Sequence, residues 1–293
     1  MKEFGNNDPV TLVMFFLAVI LVAMFVWNPI LQAAALIGGL AFCAVLQSRK
    51  ETLKDFVMYT AIFLLISITN PLFSHNGETS LFFIGSIPIT FESLANGAGV
   101  AVMIISVIAW FKCYSKVMTS DKTLYLFGRS LPKLSLVMSM SMRFIPMLTR
   151  QMHKVSRTQR AMGLYASGGI KVKIQASLRV LSALITWSLE NSVETSASMK
   201  ARGYGLQNRS SFSLFRFTTR DFILLISSVS LLGITLLGVS TGSVNFSFYP
   251  TISEISFTTP SVITYLAYFT LAFLPFAVEI KENLKWKYFA SKI

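Results

Sequence analysis

Charge is scarce along this chain, and acidic charge is scarcest. Only 13% of its 293 residues are charged, 13 of them Asp or Glu against 26 Lys or Arg. Soluble domains carry about 25% charged residues, so too few are present here to coat a water-facing globule. Cysteine is nearly absent. Cys43 lies in an apolar run and Cys113 beside Lys112, which argues against a structural disulfide and offers no metal spacing. The two histidines, His75 and His153, have no companions at ligand spacing, so no metal centre is expected. There is no Gly-x-x-x-x-Gly-Lys-Ser/Thr phosphate loop, and ATP, if it is used, must be hydrolysed elsewhere. No nucleophile stands with a base. The chain does not read as an enzyme, and neither a bound cofactor nor a nucleic-acid partner is expected. The first apolar run lacks a small-residue cleavage site and is followed by more such runs, so it is not read as a signal peptide.

What is abundant is apolar length. Hydrophobic residues make up 53% of the chain, with 25 Phe and 13 Met, and the mean hydropathy is +0.61. A helix needs roughly 17–25 apolar residues to cross the hydrocarbon, and six stretches qualify: 10–27, 29–46, 56–71, 91–111, 222–242 and 261–278. Asn28-Pro29 forms the turn between the first two, with Pro able to open the second helix. The run Ala95-Asn96-Gly97-Ala98-Gly99 suits close helix packing. No acidic or basic residue is expected inside a predicted span, which weakens any reading as a proton- or ion-coupled carrier.

The basic residues set the sidedness. Segments 28–29, 72–90 and 243–260 contain no Lys or Arg, and all 26 basic residues fall in the tails, in 49–54 and in 112–220. Positive residues stay cytoplasmic, so both termini are expected in the cytoplasm. The fold class is an all-α polytopic membrane protein of about six spans. It divides into a four-span membrane domain (1–111), a cytoplasmic segment (112–220) and a two-span hairpin with a tail (221–293).

Segment 112–220 is too charged to span and too apolar for an ordinary loop. Three helices at the membrane surface are expected: a short one over 121–129, and long ones over 132–162, bent near Pro146, and 171–202. Gly163, Gly168 and Gly169 punctuate between the long helices, and Gly203 and Gly205 end the second. The tips read Gln159-Arg160-Ala161-Met162-Gly163 and Ala201-Arg202-Gly203. The plainer reading is a basic helix holding anionic lipid headgroups, with each glycine only a cap. Glu190 and Glu194 share a helix face and are expected to ion-pair with the preceding helix. Met138, Met140, Met142, Met147 and Met152 read as ordinary packing, or as an adaptable face for a moving partner.

The order Asn28-Pro29, Asn70-Pro71-Leu72-Phe73, then Met142-Arg143-Phe144-Ile145-Pro146-Met147-Leu148, then Ala201-Arg202-Gly203-Tyr204 resembles the T component of energy-coupling-factor (ECF) transporters, vitamin and metal importers of the ABC class. The resemblance runs from about residue 8 to 220. It implies a scaffold in the plasma membrane of a prokaryote that neither hydrolyses ATP nor captures substrate. Two ABC-type ATPase subunits, a homo- or heterodimer, would use ATP and Mg, and a membrane S component would bind the vitamin or metal. X-Arg-X motifs at the ends of the two long helices would each enter an ATPase groove, and Arg202 between Ala201 and Gly203 matches the second. The first departs from it: aligning Gly163 puts Met162 where arginine is expected, and Arg160 is about 200° away around the helix. Either Gln159-Arg160-Ala161 serves in a shifted register, the preferred reading, or Met162 engages by packing. The competing function is a self-contained channel or facilitator whose basic segment binds lipid.

Overall fold

The computed structural model describes residues 4–74, 77–84, 87–163, 169–206, 215 and 217–290. Six apolar helices form its larger part. The first two start by the same device: a side chain at the cap accepts the free N–H two residues on, and proline fills the first turn, where no amide partner is lost. Asp8 caps α1 (Pro9–Phe25) through Val10 N–H, at 3.0 Å, and Asn28 caps α2 (Pro29–Leu46) through Ile30 N–H, at 3.0 Å. The helices α3 (Arg49–Phe73) and α4 (Phe91–Val117) follow. After the segment that carries α5 (Ser120–Ser130), α6 (Pro132–Ala161) and α7 (Ile170–Ala201), α8 (Thr219–Ser240) opens with a capping box between Thr218 and Asp221, and α9 (Thr259–Ala290) follows. Five of these helices are long and apolar enough to cross a bilayer, and α1 is a shorter apolar helix of 17 residues. The chain is therefore a multi-pass membrane protein of all-α class.

The helices outrun the predicted spans. α3 starts at Arg49 rather than 56, α4 runs to Val117 rather than 111, and α9 continues to Ala290 rather than 278. Charge limits how deep a helix sits, not how far it continues, so the apolar window marks only the buried part. One element is new. β1 (Ser80–Ile84) pairs antiparallel with β2 (Ile87–Thr90), in a segment for which the sequence reading assigned no structure. Their aromatic and β-branched residues suit strands, but runs this short carry no decisive period. Glu92 is a second correction. It falls inside the predicted 91–111 span, yet occupies the first turn of α4, buried, with its carboxylate accepting the Thr79 hydroxyl at 2.7 Å.

α4 packs on α1, α2 and α3, while α9 packs on α2 and α8, and α8 on α1. An aromatic cluster fills the centre: Phe15, Phe16 and Phe42 meet Trp110, and Phe4 meets the same three rings, with centroids 5.3 to 6.5 Å apart, mostly in the edge-on contacts aromatic rings favour, with Phe42 tilted against Phe16 and Trp110. Trp110 Nε1 donates to the Ala35 carbonyl at 2.9 Å. Cys43 and Cys113, 70 positions apart, meet as buried free thiols, Sγ to Sγ 2.7 Å.

Two of the sequence motifs are joints between helices. Asn28 is buried, and its Nδ2 donates to the Val244 carbonyl and the Tyr265 hydroxyl, each at 3.1 Å, fastening the start of α2 to α9 and the segment before it. Pro71 lies within the last turn of α3 rather than ending it. Having no N–H, it cannot donate to the Ser67 carbonyl. Gly97 of α4 lies against this carbonyl, and a Cβ there would stand 2.9 Å from Asn70 Cβ and 3.2 Å from Ser67 O.

Polar residues collect at the ends predicted to be cytoplasmic. Lys112 pairs with Asp55, and Lys116 with Glu51 at 2.7 Å. The N-terminal turn Phe4–Asn6 is held from two sides: Phe4 N–H donates to Glu279, at 3.1 Å, and the Lys122 ammonium donates to the Gly5 and Val117 carbonyls. Asp8 N–H donates to Asp221 at 2.7 Å.

The chain forms two compact units: Met1–Thr123 with Phe215–Ile293, and Leu124–Leu214. The sequence reading divided it at 112 and 220. The first turn of α5 (Ser120–Ser130) and the start of α8 belong with the spanning helices because Lys122 and Asp221 are bound into them.

Candidate functional site

The second unit is built on two long helices, α6 (Pro132–Ala161) and α7 (Ile170–Ala201). Neither is among the span candidates. The α6 start is tied to α5 by Ser135 Oγ, which donates to the Leu124 carbonyl at 3.0 Å. Phe144 of α6 stacks on Trp187 of α7, with centroids 6.1 Å apart and planes 18° apart. Ala176 and Val180 are buried. Beyond this seam the pair is apolar and open: Ile174, Leu178, Leu181, Ile185, Leu189 and Val193 recur at helical spacing along α7, all exposed. A face like this marks an interaction surface. Pro146 stands inside α6, which continues through it, and Arg143 and Pro146 are both exposed.

The tip of α7 is closed by its own backbone. Ala201 is the last helical residue, and Arg202 caps it at φ −81°, ψ 9°. Gly203 then turns to φ +81°, a left-handed conformation that a side chain disfavours. Two bonds close the end: Gly203 N–H donates to Lys200 O at 2.9 Å and Tyr204 N–H to Met199 O at 3.0 Å. These are the paired bonds of a Schellman cap. Arg202 is left exposed, and its guanidinium has no hydrogen-bonding or ion-pairing partner among the described residues.

The tip of α6 repeats this geometry. Ala161 is the last helical residue, Met162 caps at φ −78°, ψ 4°, and Gly163 turns to φ +75°. Gly163 N–H donates to Arg160 O at 3.0 Å and Met162 N–H to Thr158 O at 3.1 Å, as Arg202 N–H does to Ser198 O at 3.1 Å. Thr158-Gln159-Arg160-Ala161-Met162-Gly163 is therefore superimposable in role on Ser198-Met199-Lys200-Ala201-Arg202-Gly203. Met162, not Arg160, holds the position of Arg202, and Arg160 corresponds to Lys200. Met162 is 65% exposed, whereas Gln159 is buried with its Oε1 unpartnered among the described residues. The likeness was present in the sequence as a repeated Ala-x-Gly, and the left-handed glycines align the two tips in backbone.

The tips lie far apart. α7 is about 46 Å long at 1.5 Å per residue, and the seven-residue step from Gly163 to Ile170 can recover at most about 24 Å of it. The two cap residues are thus separated by at least about 20 Å, enough to address two separate bodies.

Other expectations fare differently. Glu190 and Glu194 are exposed, and neither is ion-paired among the described residues, so the expected bridge to α6 is absent there. Exposure is the reason: both carboxylates are solvated, and an exposed pair would contribute little. Met138, Met140 and Met147 are half-buried, while Met142 and Met152 are exposed. His75, Gly168 and the remainder of 164–168 lie outside the described residues.

The cobalt transport protein family model, CbiQ, matches residues 2–214. The energy-coupling factor transporter transmembrane protein EcfT of Listeria innocua is 29% identical over 242 residues, 77% of this chain and 88% of that protein. The protein of the same description from Streptococcus thermophilus is 23% identical over 76% of this chain and 89% of its own length. That from Bacillus subtilis is 32% identical over a shorter stretch, 34% of this chain and 38% of its own.

Proposed function

Because the chain belongs to the CbiQ family and is a transmembrane component of an energy-coupling-factor transporter, we propose that it is the coupling scaffold of an ABC-type importer. In this reading two ABC-type ATPase subunits hydrolyse ATP with Mg, and the α6 and α7 tips receive their motion. The helix pair passes that motion to a substrate-binding S component, which takes up a vitamin or a transition-metal ion. The chain itself carries no catalytic group, and both termini face the cytoplasm of a prokaryotic cell.

The observation that carries the proposal is Arg202. It stands exposed at a backbone-closed helix end, flanked by Ala201 and Gly203, on a unit separate from the spanning helices. Small neighbours let a groove wall close on the guanidinium, whose planar donors suit a carboxylate. The exposed apolar face of α7 supports a second, membrane-embedded partner beside it.

The test is retrieval from detergent-solubilised membranes. The tagged chain, co-produced with ABC-type ATPases of its source organism, is expected to bring them down in stoichiometric amount. Arg202→Glu should lose them, since removing one member of a close interfacial charge pair costs about 2–5 kcal/mol and reversal costs more. Retention of ATPases by Arg202→Glu at the native level would refute the role of Arg202. Lipid binding alone, spread over many basic residues at about 1 kcal/mol each, would tolerate that change and retrieve no ATPase.

A further inference from the structure

We propose that Cys43 and Cys113 form a modification site, a buried dithiol that a peroxide oxidises to a reversible disulfide joining α2 to α4. The two residues stand 70 positions apart as free thiols, with Sγ to Sγ at 2.7 Å. The helices that carry them already touch. Cys43 Sγ lies 3.4 Å from the Ala109 carbonyl of α4, and a Cβ at Gly39 would stand 3.1 Å from Trp110 Nε1. A disulfide holds its sulfurs at about 2.05 Å, so a small further approach closes the bond. A metal ion between them would need the opposite movement, since two thiolates on one tetrahedral zinc, each at about 2.3 Å, stand roughly 3.8 Å apart. Nor is there a group of three His, Cys, Asp or Glu among the described residues that could hold a metal. The pair suits a direct bond rather than a bridging ion.

One thiol has a way in. Cys43 lines a cavity of about 370 Å³ between α2 and α3, walled largely by apolar side chains such as Leu40, Ala44 and Phe56. Cys113, at 0% exposure, does not line it. Tyr59 and Asp55 line the same cavity, and each has a polar atom with no partner among the described residues: the hydroxyl of Tyr59, a residue 5% exposed, and Oδ2 of Asp55. Orphaned polar atoms in an apolar cavity point to a small polar occupant. A peroxide is small and uncharged, so apolar walls do not exclude it, and it can both accept from a hydroxyl and donate to a carboxylate. Two steps then form the bond. The Cys43 sulfur attacks one peroxide oxygen and the O–O bond breaks. The other oxygen leaves with the thiol proton, as water or, from an organic hydroperoxide, as an alcohol, and Cys43 becomes a sulfenic acid. The Cys113 sulfur next attacks the Cys43 sulfur, the S–O bond breaks, and the hydroxyl leaves as water with the Cys113 proton. Two thiols lose two electrons in all, and the peroxide gains them. In a reducing cytoplasm such bonds are transient and serve redox sensing.

The experiment exposes the purified full chain, reduced and freed of reductant, to hydrogen peroxide or to cumene hydroperoxide, an organic source of the same bond. The protein is then denatured, its remaining thiols are alkylated, and its peptides are read by mass spectrometry. The expected product is a Cys43–Cys113 linked peptide pair within one chain, with both alkylation sites lost and both restored by a dithiol reductant. Faster linkage by hydrogen peroxide assigns an aqueous oxidant, and faster linkage by cumene hydroperoxide one from the lipid side. The cavity makes the two thiols unequal. In Cys113→Ser, dimedone should mark Cys43 as a sulfenic acid, whereas in Cys43→Ser it should leave Cys113 unmarked. Tyr59→Phe should slow the linkage about three- to tenfold, the worth of one hydrogen bond. Two fully alkylated thiols in the peroxide-treated native chain overturn the proposal, as do links found only between chains. Equal marking of Cys43 and Cys113 in the two variants, or an unchanged rate in Tyr59→Phe, overturns it as well. The native-chain measurement needs no substitution, so a poorly folded variant does not shield the proposal from refutation. ATPase retrieval plays no part in it, and its outcome stands apart from that of the coupling role.

Discussion

At the scale of single residues, the tips depend on backbone that only glycine adopts without strain. Gly203 sits at φ +81°, and a Cβ there would stand 2.9 Å from Leu206 Cδ1. Gly203→Ala is expected to destabilise the α7 cap by about 1–2 kcal/mol. Hydrogen exchange at the Gly203 and Tyr204 amides should quicken, while the melting temperature of the spanning helices stays as in the native chain. Lys122 is the opposite kind of residue, a buried cation that binds two carbonyls. Burial lowers its pKa below the ordinary value of 10.5. In the window between that lowered value and 10.5 the unfolded chain binds the proton more than the folded one, so this residue's contribution makes stability rise with pH there. Thermal melts of the purified protein across alkaline pH should show this rise, and Lys122→Met should remove it.

At the scale of elements, α3 and α4 approach closely because Gly97 leaves room for the Ser67 carbonyl and Asn70. Gly97→Leu should force them apart, destabilising the protein by about 1–3 kcal/mol and lowering its melting temperature in detergent. In α7, Ser192→Pro removes an N–H from the helix interior at an exposed position, a change of about 3 kcal/mol. It should break transmission along the helix, so that ATPase retrieval through the α6 tip survives and uptake is lost. The elements were legible to different depths. All six apolar helices, the short helix and both long ones could be read from run length, charge placement and the glycines at 163 and 203. The strand pair at 80–90 could not, because nine residues hold too few periods. Nor could the ends of α3 and α4, since Arg49 and Lys116 are as helical as the apolar residues between them. Asn28 and Asn70 were visible in motifs, but their partners are 216 and about 27 positions away, Val244 and Gly97, and no local pattern encodes such pairings. The backbone correspondence between the two tips was not legible without the φ of Gly163.

At the scale of the whole molecule, the charge distribution makes a testable statement about orientation. The native cysteines are buried, Cys43 at 4% and Cys113 at 0% exposure, so an impermeant maleimide should leave the native protein unlabelled. In intact cells Thr251→Cys, at an exposed site in a segment free of Lys and Arg, should react from outside. Lys50→Cys, equally exposed, should react only after the membrane is opened. Labelling of Lys50→Cys in intact cells would invert the topology. The closed caps described above also bear on descent. Because both tips reach the same backbone shape whether methionine or arginine stands before the glycine, the identity of that one residue is free to drift without loss of folding. The chemistry each tip displays is thereby uncoupled from the fold that displays it, and a single codon at 162 or 202 alters the surface of a tip without disturbing its shape.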